Sequence, residues 1–543
     1  MALALAALST LITSGATLDH KRTPFDQEVK LLSLDRLKDP IITSSDSVRL
    51  PKQFTIAFTG DTHSHLDPSV NPDIQKVDRY VDPSFYEKPL GGVVRRIHYL
   101  EQCRNLMPNP VLILDAGDFL QGTPYFEEFQ GSLEIEFMNR AGVHVITVGN
   151  HDFDKGWEHL EKLLEAGRFQ TVCGNIFREK ETTSCLPPYC LLQINNQKVA
   201  VVGIMGLTAW ESIAPSKRKG LRIENPSETL DRILPEIREY VELVIILSHS
   251  GIKDDTCFAK HPMVDLVIGG HSHTFMNEAQ ISSSTEKVAS VFHAYRHGIL
   301  VGMMDWEFTD KGFTCTRSYI QYLDGAYDAP LDDDITCNLG IYRKAIADKF
   351  FIEVLGTCNQ TFRKEGRTEG LVPLGRLIAN ILRIAGEADV GVIYSGAIKK
   401  GIDIGDLTTA HLHEILPHSE PLWKVTMKGS LLLDLAKAGQ KRWGNNKTFQ
   451  YEGMVVESTD DGSIKVTVDN KEIDETSFYT VAASSYFFER EILDGKGEKV
   501  PDHLKDKVQN IECIHEDSRT ALANLIREKG FEALIAEKEA AAI

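Results

Sequence analysis

At 543 residues the chain exceeds what a single hydrophobic core organises, so at least two domains are expected. Hydrophobic residues make up 42% and charged residues 25%, ordinary for a soluble globular protein. With 59 basic against 78 acidic residues the formal net charge is −19, which excludes a broad basic face for nucleic acid. An anionic small molecule could still bind, provided that positive charge is supplied locally, as a bound metal would do.

The N-terminal stretch from Met1 to about Lys52 is polar and weakly patterned overall and reads as an extension, residues 1–53. Within it, Met1 to Ala16 is apolar and ends in small residues, like a signal segment, but lacks a basic start. Both secreted and cytoplasmic locations therefore stay open. No run of about 20 apolar residues exists, so no membrane span is expected. Nine cysteines show no framework spacing; Cys185 and Cys190 are close enough to pair, but free thiols are the expected state.

From residue 54 onward a series of apolar, β-rich runs begins: FTIAFTG, VLILDAG, VHVITVG, KVAVVGIMG, ELVIILSHS and DLVIGG. Continuous runs of this kind suit strands covered on both faces, with helix-like segments between them. They define an α/β layered domain over 54–327. A connector with one helix comes next over 328–355, and a second unit with its own apolar periodicity, in RLIANILRIAG and SLLLDLAKAG, occupies 356–543.

The informative feature is the type of residue at the end of each strand. FTIAFTG runs into Asp61 and His63, VLILDAG into Asp118, VHVITVG into Asn150 and His151, ELVIILS into His249, and DLVIGG into His271 and His273. Carboxyl ends of strands in an open α/β sheet share one edge, where ligands bind. Residues two apart on an extended segment point the same way, so Asp61 can converge with His63, and His271 with His273. Gly60, Gly117, Gly149 and Gly270 precede these groups and permit tight turns. Imidazoles and carboxylates without thiolates suit divalent zinc, manganese, iron or cobalt. Seven donors exceed the four of one site, so two ions about 3.5–4 Å apart, sharing Asp118, would match the hydrolytic two-metal arrangement.

Taken in order, D-x-H, G-D, G-N-H-[DE], a strand-end histidine and G-H-x-H resemble the motifs of the calcineurin-like metallophosphoesterases. The string LDAGDFLQGTPYFEEFQGSLEIEFMNRAGVHVITVGNHDFDKG is similar to the 5′-nucleotidase and UDP-sugar hydrolase branch. The resemblance implies a four-layer α/β/β/α sandwich followed by a smaller α/β C-terminal substrate domain. It also implies that Asp61, His63, Asp118 and His273 hold one metal, and Asp118, Asn150, His249 and His271 the other. By the same resemblance His151 stabilises the transition state and leaving group, Asp154 orients it, and a metal-bound hydroxide is the nucleophile. His65 is as readily a supporting or surface residue as a site residue. His293 and His297 read as lying on a strand edge, and Asp152 and Phe153 as supporting geometry.

In the second domain the pattern departs from these relatives. Their N-S-G-[GA]-I-R becomes Tyr394 to Lys399, and their L-P-F becomes Leu416, Pro417 and His418. Lys399 can meet an anion but lacks the fork of arginine. Tyr486 matches a second aromatic clamp, and Arg363 and Arg367 resemble phosphate-side arginines. His418 and Tyr486 could sandwich a base between flat π faces. Three functions stand: hydrolysis of a nucleoside 5′-monophosphate or related nucleotide; hydrolysis of another small ester such as a sugar phosphate; and a non-catalytic binding protein of the same fold. The expected partner is a small phosphate ester; nothing in the sequence sets the oligomeric state.

Overall fold

Phe54, Ile56 and Phe58 leave the strand Gln53–Thr59 on one face, and Thr55 and Ala57 leave it on the other; all five are buried. Burial of both faces is what a strand between two packed layers requires. The computed structural model describes residues 29–33, 53–70, 85, 87–121, 123–280, 288–309, 312–351, 353–418, 420–458 and 464–541. The signal-like segment 1–16 lies outside the described residues.

Two six-stranded sheets form the first domain. One runs in the order Gly312–Tyr322, Leu300–Thr309, Gln53–Thr59, Val111–Asp115, Val145–Ile146 and Gln170–Thr171, and its last four strands are parallel. The other runs Val29–Leu32, Tyr189–Ile194, Gln197–Met205, Leu243–His249, Leu266–Gly269 and Ser290–His293, again with its last four parallel. Val29–Leu32 falls within the stretch expected to be an extension, yet it pairs antiparallel with Tyr189–Ile194 and buries Val29.

Between the sheets, Phe54, Ile56, Phe58 and Leu114 meet Val201, Ile245, Leu247 and Ile268. Helices cover the outer faces. Val93–Leu106 and Ser132–Ala141 pack on the first sheet with Ile97, Leu100, Leu133 and Phe137, and Pro226–Ile237 packs on the second with Leu230, Ile233 and Leu234. The architecture is therefore the four-layer α/β/β/α sandwich.

A helix over Asp334–Ile346 comes next, its start capped by the Asp333 carboxylate, which accepts from Ile335 N and Thr336 N at 3.0 Å each. The second domain is built on a five-stranded sheet ordered Phe449–Glu452, Val390–Tyr394, Phe478–Ser484, Leu422–Lys428 and Val508–His515. Helix Pro373–Ala385 covers one face and Gly429–Lys441 the other, with separate apolar clusters behind each. No helix among the described residues is long and apolar enough to cross a membrane, and all nine cysteines, Cys185 and Cys190 included, are free.

The two domains touch through polar contacts. Arg519, with a side chain only 3% exposed, lies 2.9 Å from Glu127. Ser216 Oγ donates to the buried Glu489 carboxylate at 2.9 Å, and Lys496 meets Glu179 at 2.7 Å.

The loops after Val111–Asp115 and Val145–Ile146 are tied together by Asp152, which is fully buried. Its Oδ2 accepts from Asp118 N at 3.0 Å and Gly149 N at 2.7 Å, and its Oδ1 from Leu120 N at 3.1 Å. Removing the carboxylate strands three buried N–H groups, each costing about 1–3 kcal/mol when left unsatisfied. Asp152→Ala should thus lower the thermal midpoint of chelator-treated protein by several degrees, read by calorimetry. An unchanged midpoint would show that the two loops hold their positions without it.

Candidate active site

All seven candidate donors gather at the carboxyl edge of the two sheets. Five of them, Asp61, His63, Asp118, His271 and His273, have φ between 48° and 74°, in the left-handed region that residues other than glycine rarely enter. These donors therefore sit in turns, not on extended segments, and the alternation rule does not govern them. Asp61 and His63 converge as expected. His271 and His273 part to opposite sides of the site, each in the donor group to which the family resemblance assigned it. Gly117, at φ 85°, needs the freedom of glycine, and a Cβ on Gly149 would come 2.2 Å from Asp118 Oδ1.

The side chains form two groups. In the first, His63 Nε2 and His273 Nε2 face each other at 2.8 Å, with Asp61 Oδ1 3.9 Å from His63 and 3.6 Å from His273. In the second, His249 Nε2 lies 3.1 Å from Asp118 Oδ2, and His271 Nδ1 lies 2.9 Å from Asn150 Oδ1. Asp118 Oδ2 is also 4.0 Å from His63 Nε2, so its carboxylate lies between the groups.

Supporting contacts fix ring orientation. His249 Nδ1 binds the Ala116 carbonyl at 2.7 Å, which turns Nε2 toward Asp118. The His271 backbone N–H donates to Asp61 at 3.0 Å, and that of His151 to Asp118 Oδ1 at 2.8 Å. Asp61 and Asp118 are each 1% exposed. Burial raises the Asp118 pKa, but the facing His249, His151 and His63 outweigh it and hold the carboxyl well below its usual range.

This donor set fits divalent metal. His249 Nε2 is fully buried and lies 3.1 Å from Asp118 Oδ2. Asp61, His63 and His273 form one cluster, and Asp118, His249 and His271 another; within each, the donor atoms lie within 4.8 Å of one another. Two imidazole nitrogens aimed at one point beside a carboxylate oxygen are satisfied together by a cation.

His151 stands beside the groups. Its Nδ1 is 3.3 Å from Asp154 Oδ1, and its Nε2 lies 3.4 Å from Gln121 Nε2. Burial lowers its pKa, but Asp154 and Asp118 outweigh it and raise it above the ordinary value, favouring the charged ring. Asp154, although burial opposes ionisation, is held at about 2 by His151 and His418.

The second-domain residues are placed differently from the expected clamp. His418 stacks on His151 with ring centroids 5.3 Å apart and planes 18° off parallel, and its Nδ1 is 3.8 Å from Asp154 Oδ2. Tyr486 packs edge-on against Tyr394 at 5.7 Å and reaches the Ser212 carbonyl at 3.4 Å. Each ring is thus engaged in protein contacts. Arg367 is tied to the carbonyls of Ser395 at 2.8 Å and Lys364 at 3.3 Å, and Arg363 is exposed. Lys399 keeps solvent access, yet desolvation and the nearby Arg367 bring it down to about 8 against the pull of Asp154.

His293 ends a strand, as expected, and faces Asp255 at 2.8 Å. His297 instead leaves the strand, donates its backbone N–H to the Asp61 carbonyl at 2.7 Å, and sets its ring 3.8 Å from His65 and 6.0 Å from His63. Nothing in the sequence signals this, because the contact is made by the return of the chain toward Leu300–Thr309. Gln121 is likewise hidden in a loop.

Residues 54–275 match the Calcineurin-like phosphoesterase family, and residues 353–492 match the 5′-nucleotidase C-terminal domain family. The chain is 28% identical over 431 residues to the 5′-nucleotidase of Bos taurus and 27% identical over 431 residues to that of Homo sapiens. Each alignment covers 73% of both chains. By fold, it superposes on the 5′-nucleotidase precursor of Thermus thermophilus with a TM-score of 0.71 at 21% identity, over 88% of this chain and 96% of that one. With both domains in the same order and the donors at the sheet edge, the chain belongs to the calcineurin-like metallophosphoesterases that carry a 5′-nucleotidase C-terminal domain.

Proposed function

We propose that the protein hydrolyses a phosphate monoester, foremost a nucleoside 5′-monophosphate or related nucleotide, at two divalent metal ions. One would be held by Asp61, His63, Asp118 and His273, the other by Asp118, Asn150, His249 and His271. The observation that carries this reading is the pair of donor groups on either side of Asp118, with His151 beside them. The 5′-nucleotidases of Bos taurus and Homo sapiens, aligned over both domains, support the nucleotide.

Ions bound there, zinc, manganese, iron or cobalt, would supply Lewis-acid charge to the phosphoryl oxygens and lower the pKa of an attacking water. The chain's own groups do the rest. Asp154 keeps the His151 Nδ1 proton in place, so that the charged ring can stabilise the leaving oxygen through Nε2. Lys399, which acts electrostatically on Asp154 and on His151, would offer a second-domain cation to the phosphate. A different small ester, such as a sugar phosphate, is the second reading. It is favoured by His418 and Tyr486, whose rings are engaged with protein and not paired as a base clamp.

Phosphate release from nucleoside monophosphates, a nucleotide sugar, sugar phosphates and an aryl phosphate, with metal added back to chelator-stripped protein, separates these readings. Activity strongest on nucleotides is expected; equal rates on all esters would move the substrate elsewhere, and none with any metal would end the hydrolase reading. Asp118→Asn should abolish turnover and reduce metal content, checked by elemental analysis. His151→Ala should lower kcat by about 10²–10⁴-fold with metal retained; parallel metal loss would make it a ligand. Lys399 is charged below about pH 8 and neutral above it. KM should therefore rise as pH passes through that value, and Lys399→Arg should remove the rise; a KM that rises equally in the variant would exclude Lys399.

A further inference from the structure

We propose that His418 is a positioning residue for His151, delivered by the second domain to a carboxylate that the two histidines share. The inference rests on the hydrolase reading above and adds a role to a residue whose sequence position suggested only a base clamp.

Asp154 offers one oxygen to each domain. Oδ1 lies 3.3 Å from His151 Nδ1, and Oδ2 lies 3.8 Å from His418 Nδ1. The two rings are stacked, 5.3 Å apart and 18° off parallel, and the donor atoms of all three side chains lie within 4.8 Å of one another. Nδ1 against Asp154 and Nε2 against Gln121, at 3.3 and 3.4 Å, hold the edges of the His151 ring. A second ring against its face restrains it further and excludes water from one side.

The backbone that carries His418 is well held. It comes after helix Thr409–Ile415, whose first turn is locked by a reciprocal cap between Thr408 and His411. Pro417, just before it, restricts φ. Two residues on, Glu420 accepts from Tyr486 N at 3.0 Å and, through its carbonyl, from Ser518 N at 2.7 Å. Across the domain boundary, Ser216 on Glu489 and Glu127 on Arg519 keep this face of the second domain against the first. The second-domain contribution to the orientation of His151 therefore depends on the domains being docked as here. The consequence is chemical: His418 acts on turnover, whereas a base clamp acts on binding.

The test compares full-length wild type with His418→Ala, His418→Phe and His418→Asn under metal-loaded conditions, measuring kcat, KM and metal content. His418→Ala should lower kcat by about 10–100-fold, the range of partners that orient a functional histidine, with KM and metal content unchanged. His418→Phe, which keeps the ring face, or His418→Asn, which keeps an N–H toward Asp154, should recover part of the loss. A raised KM with kcat intact would return His418 to the clamp. A kcat loss accompanied by metal loss, or restored by neither conservative variant, would mark a structural role and overturn the proposal. Wild type that releases no phosphate would overturn the hydrolase reading as well; active wild type with normal turnover in His418→Ala would overturn only this one.

Discussion

The site depends on left-handed backbone at the ends of the strands. Five donor residues lie there, each at a cost of order 1–3 kcal/mol that only surrounding structure can sustain. That structure is visible bond by bond. Asp61 N binds the Gly117 carbonyl at 2.8 Å and His63 N the Asp118 carbonyl at 3.0 Å, so the first two loops brace each other. Asp152 ties the second loop to the third, and the His271 backbone N–H returns to the Asp61 carboxylate. Each turn is held by another turn, and the whole rests on two sheets whose facing side chains are almost entirely buried.

Because these turns lie above a dry core, they concentrate charge where water cannot screen it. Asp61 and Asp118 are buried among imidazoles, and Asp118 keeps its charge because three of them face it. A buried anion surrounded by nitrogen donors is costly unless a cation completes it. The left-handed turns also explain how neighbours in sequence part in space: His271 joins Asn150 and His249 while His273 joins His63 and Asp61. One carboxylate, Asp118, remains between the two groups.

The second domain meets this edge through polar and ionic contacts, with Ala410 reaching into the first domain's apolar cluster. Its apolar clusters are its own, while Arg519, Glu489 and Lys496 reach across to Glu127, Ser216 and Glu179. What it brings to the metal side is a cation, Lys399, and a ring, His418. Lys399 acts electrostatically on Asp154 and His151, and His418 stacks on His151 with its Nδ1 3.8 Å from Asp154.

The sequence determined the strands, the donor residues at their ends and the two-domain order, because runs such as VLILDAG and VHVITVG carry β-propensity, burial and the adjoining donor in a few consecutive residues. His63 with Asp61 and His151 with Asp154 were legible for the same reason: the partners are local. The strand Val29–Leu32 was not, since its pairing with Tyr189–Ile194 is nonlocal and its flanks are polar. Nor were the approach of His297 to His63 or the seat of His418 on His151. These depend on backbone dihedrals and on docking between segments far apart in the chain, and only the tertiary structure decides such contacts.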